Sequence, residues 1–208
     1  MNRRDALGRV ALIMGGAVIG ADFFLSGCKP GGASNVQDLF SADNVAYLNE
    51  VADTILPTTA ASPGAKAANV GQFMAVMVRD CYTPQDQKTF VEGMKKLDEA
   101  AKKKSNGKFL DLTPQQRTDL LVDLDKEQKA FTEQRNKDLA ADAAKHKGDN
   151  TYKAPELPKH YFRMIKELSL LGYFTSEIGA TKALRYVETP GHYDGCVPYK
   201  KGDKAWAT

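Results

Sequence analysis

The spacing of the apolar residues constrains this chain most. They recur every three or four positions in separate segments, several of which open on a hydroxyl residue and close on proline or glycine. Val45, Leu48, Val51, Ala52 and Ile55 share one face of a helix that Ser41 can cap and Pro57 ends. Val70, Phe73, Met74, Met77 and Val78 mark a second helix, running to about Cys81. Thr83-Pro84 starts a third, carrying Phe90, Met94 and Leu97. It continues through Lys102, Lys103 and Lys104, whose charges suit a helix C-terminus, and breaks at Asn106-Gly107. Thr113-Pro114-Gln115-Gln116 is a capping-box start for a fourth, with Leu120, Leu121, Leu124 and Phe131 as its stripe. From Glu133 to Lys147 the stripe fades into polar residues with scattered alanine, which fits either a solvent-facing extension or a flexible loop. Tyr152 to Pro158 is an extended connector, and His160 to Tyr173 a fifth helix. Thr175 or Ser176 can cap a short last helix ending near Tyr186. Residues 187–208 have no period and predict an irregular tail. No alternating run is long enough for a strand. The expectation is an all-α fold over residues 41–208, a single compact helical domain of about five or six helices with an irregular C-terminal tail.

The first forty residues read differently. Arg3, Arg4 and Arg9 form a basic start, Val10 to Ala21 is apolar and rich in small residues, and Leu25-Ser26-Gly27-Cys28 follows. An apolar stretch of about 12 residues is too short to cross a hydrocarbon layer as a helix. The layout is that of a cleaved export signal over residues 1–27. Arg3-Arg4 resembles the twin-arginine signals that carry folded cargo, although Ala6 stands where a larger apolar residue is usual and Leu7 follows it. Leu25-Ser26-Gly27-Cys28 resembles the bacterial lipobox, so Cys28 is the expected lipidation site, and residues 28–40 read as a lipidated tether. Several acyl chains on one cysteine anchor a protein firmly. The expected location is the periplasmic side of a bacterial membrane.

Few residues suggest chemistry. The formal charge is +3, too weak to argue for nucleic acid. His146, His160 and His192 have no ligand spacing, no glycine-rich nucleotide fingerprint follows a strand, and no Cys-x-x-Cys-His is present. Ser176 beside Glu177 reads as a cap. The expectation is that this chain itself has no catalytic, cofactor-binding or metal residues. Besides Cys28, Cys81 and Cys196 remain. They could bridge to each other, bond a partner chain, or stay as two buried thiols; an internal bridge across so long a loop would stabilise by about 4–5 kcal/mol before strain.

Two regions carry a family resemblance. Leu168 to Tyr186, continuing through Pro190-Gly191-His192-Tyr193-Asp194-Gly195-Cys196-Val197-Pro198 to Lys204-Ala205-Trp206-Ala207, resembles the gluconate 2-dehydrogenase subunit 3 family. The segments Ala52 to Thr58 and Pro63 to Ala68 are also similar to it. The resemblance implies a non-catalytic small subunit of a membrane-associated, periplasm-facing sugar or sugar-acid dehydrogenase. Its large partner would be an FAD-dependent flavoprotein of the GMC type, and a third subunit would be a cytochrome c carrying haem c. The small subunit would serve export, folding and, through Cys28, anchoring of the flavoprotein. Leu171, Tyr173, Phe174, Tyr186, Tyr193 and Trp206 are the candidate partner residues, because aromatic side chains concentrate at interface hot spots; the competing reading packs them on the chain's own helices. A different class remains open: a stand-alone envelope lipoprotein acting as a binding or structural module. A third, an enzyme in its own right, would need acidic or histidine residues converging in a pocket.

Overall fold

The computed structural model describes residues 35–189, 191–192 and 195–207, all within one unit spanning Gly32–Thr208. Arg3, Arg4, Cys28 and Tyr193 lie outside the described residues. Helix α1 runs Ala42–Ile55, α2 Val70–Cys81, α3 Pro84–Ser105, α4 Pro114–Lys145 and α5 Tyr161–Phe174. Short 3-10 turns at Val36–Phe40, Ala65–Ala68 and Phe109–Asp111 link them, and a π-helical turn at Gly179–Ala183 follows. The all-α expectation holds, with an irregular tail after the π-turn.

The caps explain the boundaries. Ser41, Thr83 and Thr113 each accept a backbone N–H from the third residue on, with proline opening α3 and α4, so the orphan donors of the first turn are satisfied. Thr113 and Gln116 complete a reciprocal capping box. Asn106 ends α3 at φ 56, a left-handed conformation that asparagine tolerates, and its N–H returns to the Lys102 carbonyl. Helix α5 has a less common cap: the Phe162 N–H donates to His160 Nδ1 at 3.3 Å, which makes that nitrogen an acceptor.

Helices α1 and α2 pack side by side, and α5 crosses α2 and α3. Phe90, Phe109, Phe162, Leu48, Met74, Leu97, Met164 and Ile165 are almost fully buried in one continuous core. Each large apolar side chain so buried contributes about 1.5–3 kcal/mol relative to exposure. Close crossing leaves no room for side chains at Gly93 and Gly172. A Cβ on Gly93 would collide with the Tyr161 ring, and one on Gly172 with the Phe73 ring. Tyr47 donates to Asp98 Oδ1 at 3.1 Å, the same oxygen that accepts the Phe109 N–H. Burial first, then the Asp98 carboxylate, push the Tyr47 hydroxyl far above the usual tyrosine range.

The structure corrects one boundary and, in a second segment, decides between the two readings left open by the sequence. Part of the tether expected over 28–40 belongs to the fold: Asn35 caps the Val36–Phe40 turn and Leu39 is fully buried. This turn is too short to show a helical period, which is why the sequence pattern conceals it. The stretch from Glu133 to Lys145 is helix, one continuous element with the first half of α4. No side chain after Gln128 in α4 is buried. The extension is held instead by neighbours one turn apart, Lys137 to Glu133 at 2.7 Å and Gln134 to Asp138 at 2.8 Å, each worth a few tenths of a kcal/mol. Phe131, expected in the apolar stripe, is exposed and lies tilted beside the His160 ring, 5.5 Å between centroids. No helix among the described residues is long and apolar enough to cross a membrane.

Candidate partner surface

The two separated blocks of family resemblance meet in space. Tyr173, near the end of α5, sends its hydroxyl to the loop between Thr58 and Gly64, where it donates to the Pro63 carbonyl and lies 2.5 Å from Ser62 Oγ. That loop is shaped by its own residues. Thr58 Oγ1 accepts the Gly64 N–H at 2.9 Å, and the Thr59 N–H donates to the Ser62 carbonyl at 2.9 Å. The Ala65 N–H then returns to the Leu56 carbonyl, and the Lys66 N–H to Asp53 Oδ1 at 3.2 Å.

Beyond α5 the chain turns sharply. Ser176 Oγ accepts the Gly179 N–H at 3.0 Å, so Ser176 is a cap, as its place after α5 suggests. Gly179 sits against the Tyr173 carbonyl, so closely that any Cβ there would overlap it. The Leu184 N–H closes the π-turn on the Gly179 carbonyl at 3.0 Å. The short last helix therefore stops at Ala183, before Tyr186.

The tail then folds back on itself. Arg185 and Trp206 form an isolated parallel bridge: the Arg185 N–H donates to Ala205 at 2.8 Å, and the Ala207 N–H to Arg185 at 2.7 Å. The Arg185 guanidinium lies 4.5 Å above the Trp206 ring and also donates to the Lys204 carbonyl at 2.6 Å. Lys204 Nζ donates to the Lys182 carbonyl and, at 3.3 Å, to the Ala61 carbonyl. One lysine thus joins tail, π-turn and loop. Between loop residues 58–63 and Thr181, Lys182 and Lys204 lies an open hollow of about 390 Å³.

The candidate residues divide. Tyr173 is only 3% exposed and belongs to the core, its hydroxyl committed to Pro63; as a surface contact it is corrected. Leu171, Phe174, Tyr186 and Trp206 are exposed, at 46%, 37%, 54% and 49%. Val187, Val197 and Tyr199 are exposed as well, so most of the exposed large apolar side chains among the described residues lie after residue 170. Sequence reasoning misses Arg185 and Lys204 as tail fasteners. Their bonds go to backbone carbonyls distant in sequence, which residue types do not reveal.

The remaining sequence candidates lie elsewhere. Cys81 ends α2, exposed, with its sulfur 4.0 Å from Met77 Sδ. Cys196 is also exposed, and no disulfide joins the two in the structure. They are therefore not the buried thiols of one sequence alternative. His146 stacks on Tyr152 at 4.4 Å, and His160 caps α5. No group of three or more potential metal ligands occurs among the described residues.

A larger open groove, about 440 Å³, runs between α4 and α5 and includes Lys129, Glu133, Arg163, Lys166 and Glu167. Its charges are matched in place. Lys129 and Lys166 both reach Asp125, at 2.8 and 2.6 Å, and Arg163 reaches Glu167 at 2.7 Å. Burial pushes the Asp125 carboxyl up, but hydrogen bonds from Lys129, Lys166 and Gln128 outweigh it and hold the group down to about 2. A groove whose cations are each already engaged by a carboxylate offers less to an anionic ligand than free cations would.

Comparison with known proteins supplies the family. Searches of curated proteins and of solved structures returned no match. The family model described as gluconate 2-dehydrogenase subunit 3 matches residues 42–191, from the first residue of α1 into the tail. That span is more than half of the chain and takes in both the 58–64 loop and the α5 end that Tyr173 joins, so the chain belongs to the gluconate 2-dehydrogenase subunit 3 family.

Proposed function

We propose that this chain is the non-catalytic small subunit of a membrane-associated, periplasm-facing, FAD-dependent dehydrogenase acting on a sugar or sugar acid. The family match over residues 42–191 carries this reading. The large flavoprotein would hold FAD, which accepts the electron pair taken from the substrate, and a cytochrome c subunit would pass the electrons on. This chain's part is to dock the flavoprotein, export with it in folded form and keep it at the membrane through Cys28. The exposed Leu171, Phe174, Tyr186 and Trp206, all on the end of α5 and the tail that follows it, form the docking face. Aromatic residues of that kind dominate binding energy where they become fully desolvated.

The experiment is a gentle detergent pull-down of the tagged full chain from its native membrane, read by flavin absorbance and mass spectrometry. A stoichiometric flavoprotein in the eluate supports the reading. A lone acylated chain from well-expressed, active membranes overturns it in favour of a stand-alone envelope lipoprotein, and a lone chain without acylation removes the Cys28 anchor as well.

A further inference from the structure

The end of α3 carries a chemistry that the proposed function does not use. Asn106-Gly107 is the only Asn-Gly pair in the chain. Asn106 is exposed, at φ 56 and ψ 10, and caps the helix through its backbone N–H. Among the described residues, its side-chain amide makes no hydrogen bond, and the Gly107 N–H donates to no backbone carbonyl. Several other asparagines differ. Asn35 Oδ1 caps the Val36–Phe40 turn, Asn44 Nδ2 donates to the Asp38 carbonyl at 2.7 Å, and Asn49 Oδ1 accepts the Gly71 N–H at 2.7 Å. Asn69 Oδ1 accepts from Asn49. The residues after these four are Val36, Val45, Glu50 and Val70, whose side chains crowd the following nitrogen. Gly107 has no side chain to do so.

We infer that Asn106 is a site of spontaneous backbone-assisted deamidation, giving aspartate and isoaspartate at the C-terminal end of α3. The Gly107 nitrogen attacks Asn106 Cγ. A bond forms between them, the Cγ–Nδ2 bond breaks, and the amide leaves as ammonia carrying the proton released from Gly107. Water then adds across one of the two carbon–nitrogen bonds of the five-membered imide. Opening on one side gives aspartate; opening on the other gives isoaspartate, with the side-chain carbon now part of the main chain. No oxidant, reductant or cofactor is needed.

The two products differ in what they do here. Aspartate tolerates the left-handed conformation and keeps the cap, while placing a negative charge beside Lys102, Lys103 and Lys104. Isoaspartate lengthens the backbone by one carbon between α3 and the Phe109–Asp111 turn. It therefore strains the register that brings the Asn106 N–H to Lys102 and the Phe109 N–H to Asp98.

The test compares three samples held at mildly alkaline pH: the native full chain, the Gly107→Ala full chain, and a free peptide spanning Ser105 to Lys108. Peptide mapping with fragmentation that separates aspartate from isoaspartate reads each one. A Cβ at residue 107 lies 3.2 Å from Asp111 Cβ, a contact that a small shift relieves, and Gly107 has no positive φ, so the variant keeps the fold. The expected result is conversion of Asn106 in the native chain at a rate comparable with the peptide, no conversion of Asn35, Asn44, Asn49 or Asn69, and severalfold slower conversion in Gly107→Ala. If native Asn106 stays intact while the peptide converts, the helix cap protects it and the inference is overturned. Equal conversion with and without Gly107→Ala overturns the backbone route.

Discussion

In the helical part of the molecule, residues 42–183, position is set by buried carbon: the core from Leu48 to Ile165 leaves almost no exposed surface on its central side chains. Among the described residues of the tail, 184–189, 191–192 and 195–207, position is set chiefly by a few directional bonds. One backbone bridge, one guanidinium over one indole ring, and one lysine on two carbonyls hold it, while Tyr186, Val187, Tyr199 and Trp206 remain exposed. Burial is shared over many atoms and is lost only when the whole core opens. Directional bonds can be lost one at a time. The tail is thus the region where a change in binding can be separated from a change in stability.

The sharpest break of that comparison lies in the core. Phe162→Ala, at a side chain 1% exposed, should cost about 3–5 kcal/mol, seen as a lower urea midpoint of the whole transition. A loss below 1 kcal/mol would show that α5 is not part of the cooperative core.

Next comes the joint between the two regions. Tyr173→Phe keeps the ring and removes the hydroxyl that reaches Pro63 and Ser62, so about 1 kcal/mol is expected. Hydrogen exchange should rise at the 58–64 loop, while amides in the middle of α3 keep their protection.

Asp125 tests the groove. Asp125→Asn should cost roughly 0.5 kcal/mol at neutral pH, since its lysine partners are partly exposed. The carboxyl lies below its ordinary value of 3.8, at about 2. The wild-type contribution is therefore complete above that ordinary value and disappears as the pH falls towards about 2. Stability curves of wild type and variant should converge over that window; a gap that persists at its acid end would refute the ion-pair account.

The smallest stability effect and the largest functional one should coincide in the tail. Trp206→Ala should shift stability by under about 0.5 kcal/mol. In the pull-down it should reduce flavoprotein recovery severalfold. Unchanged recovery with Trp206→Ala and with Tyr186→Ala would move the docking face elsewhere on the chain.

Much of the fold is legible in the sequence because helix starts and apolar stripes are local. Ser41, Thr83-Pro84, Thr113-Pro114 and Asn106-Gly107 mark boundaries that the structure keeps within a residue or two. The second half of α4 is less legible, since a solvent-facing helix held by pairs one turn apart has no stripe to show. The Val36–Phe40 turn is hidden because five residues are too few for a period, and only Leu39 entering the core reveals that the segment belongs to the fold. Of the candidate surface, the sequence shows the aromatic residues but not which of them face outward. Tyr173 and Phe174 are neighbours of similar chemistry. One is buried against Pro63 and the other exposed, because successive residues on a helix point about 100° apart.

By itself, then, the sequence determined the helical class, the helix starts and the family resemblance, because caps, periods and motifs act over a few residues. Only the tertiary structure decided that the 58–64 loop meets Tyr173, that Lys204 joins three segments, and that Arg185 covers Trp206. Those contacts join residues more than 20 and up to 143 positions apart, and their partners are mostly backbone carbonyls, which every residue carries.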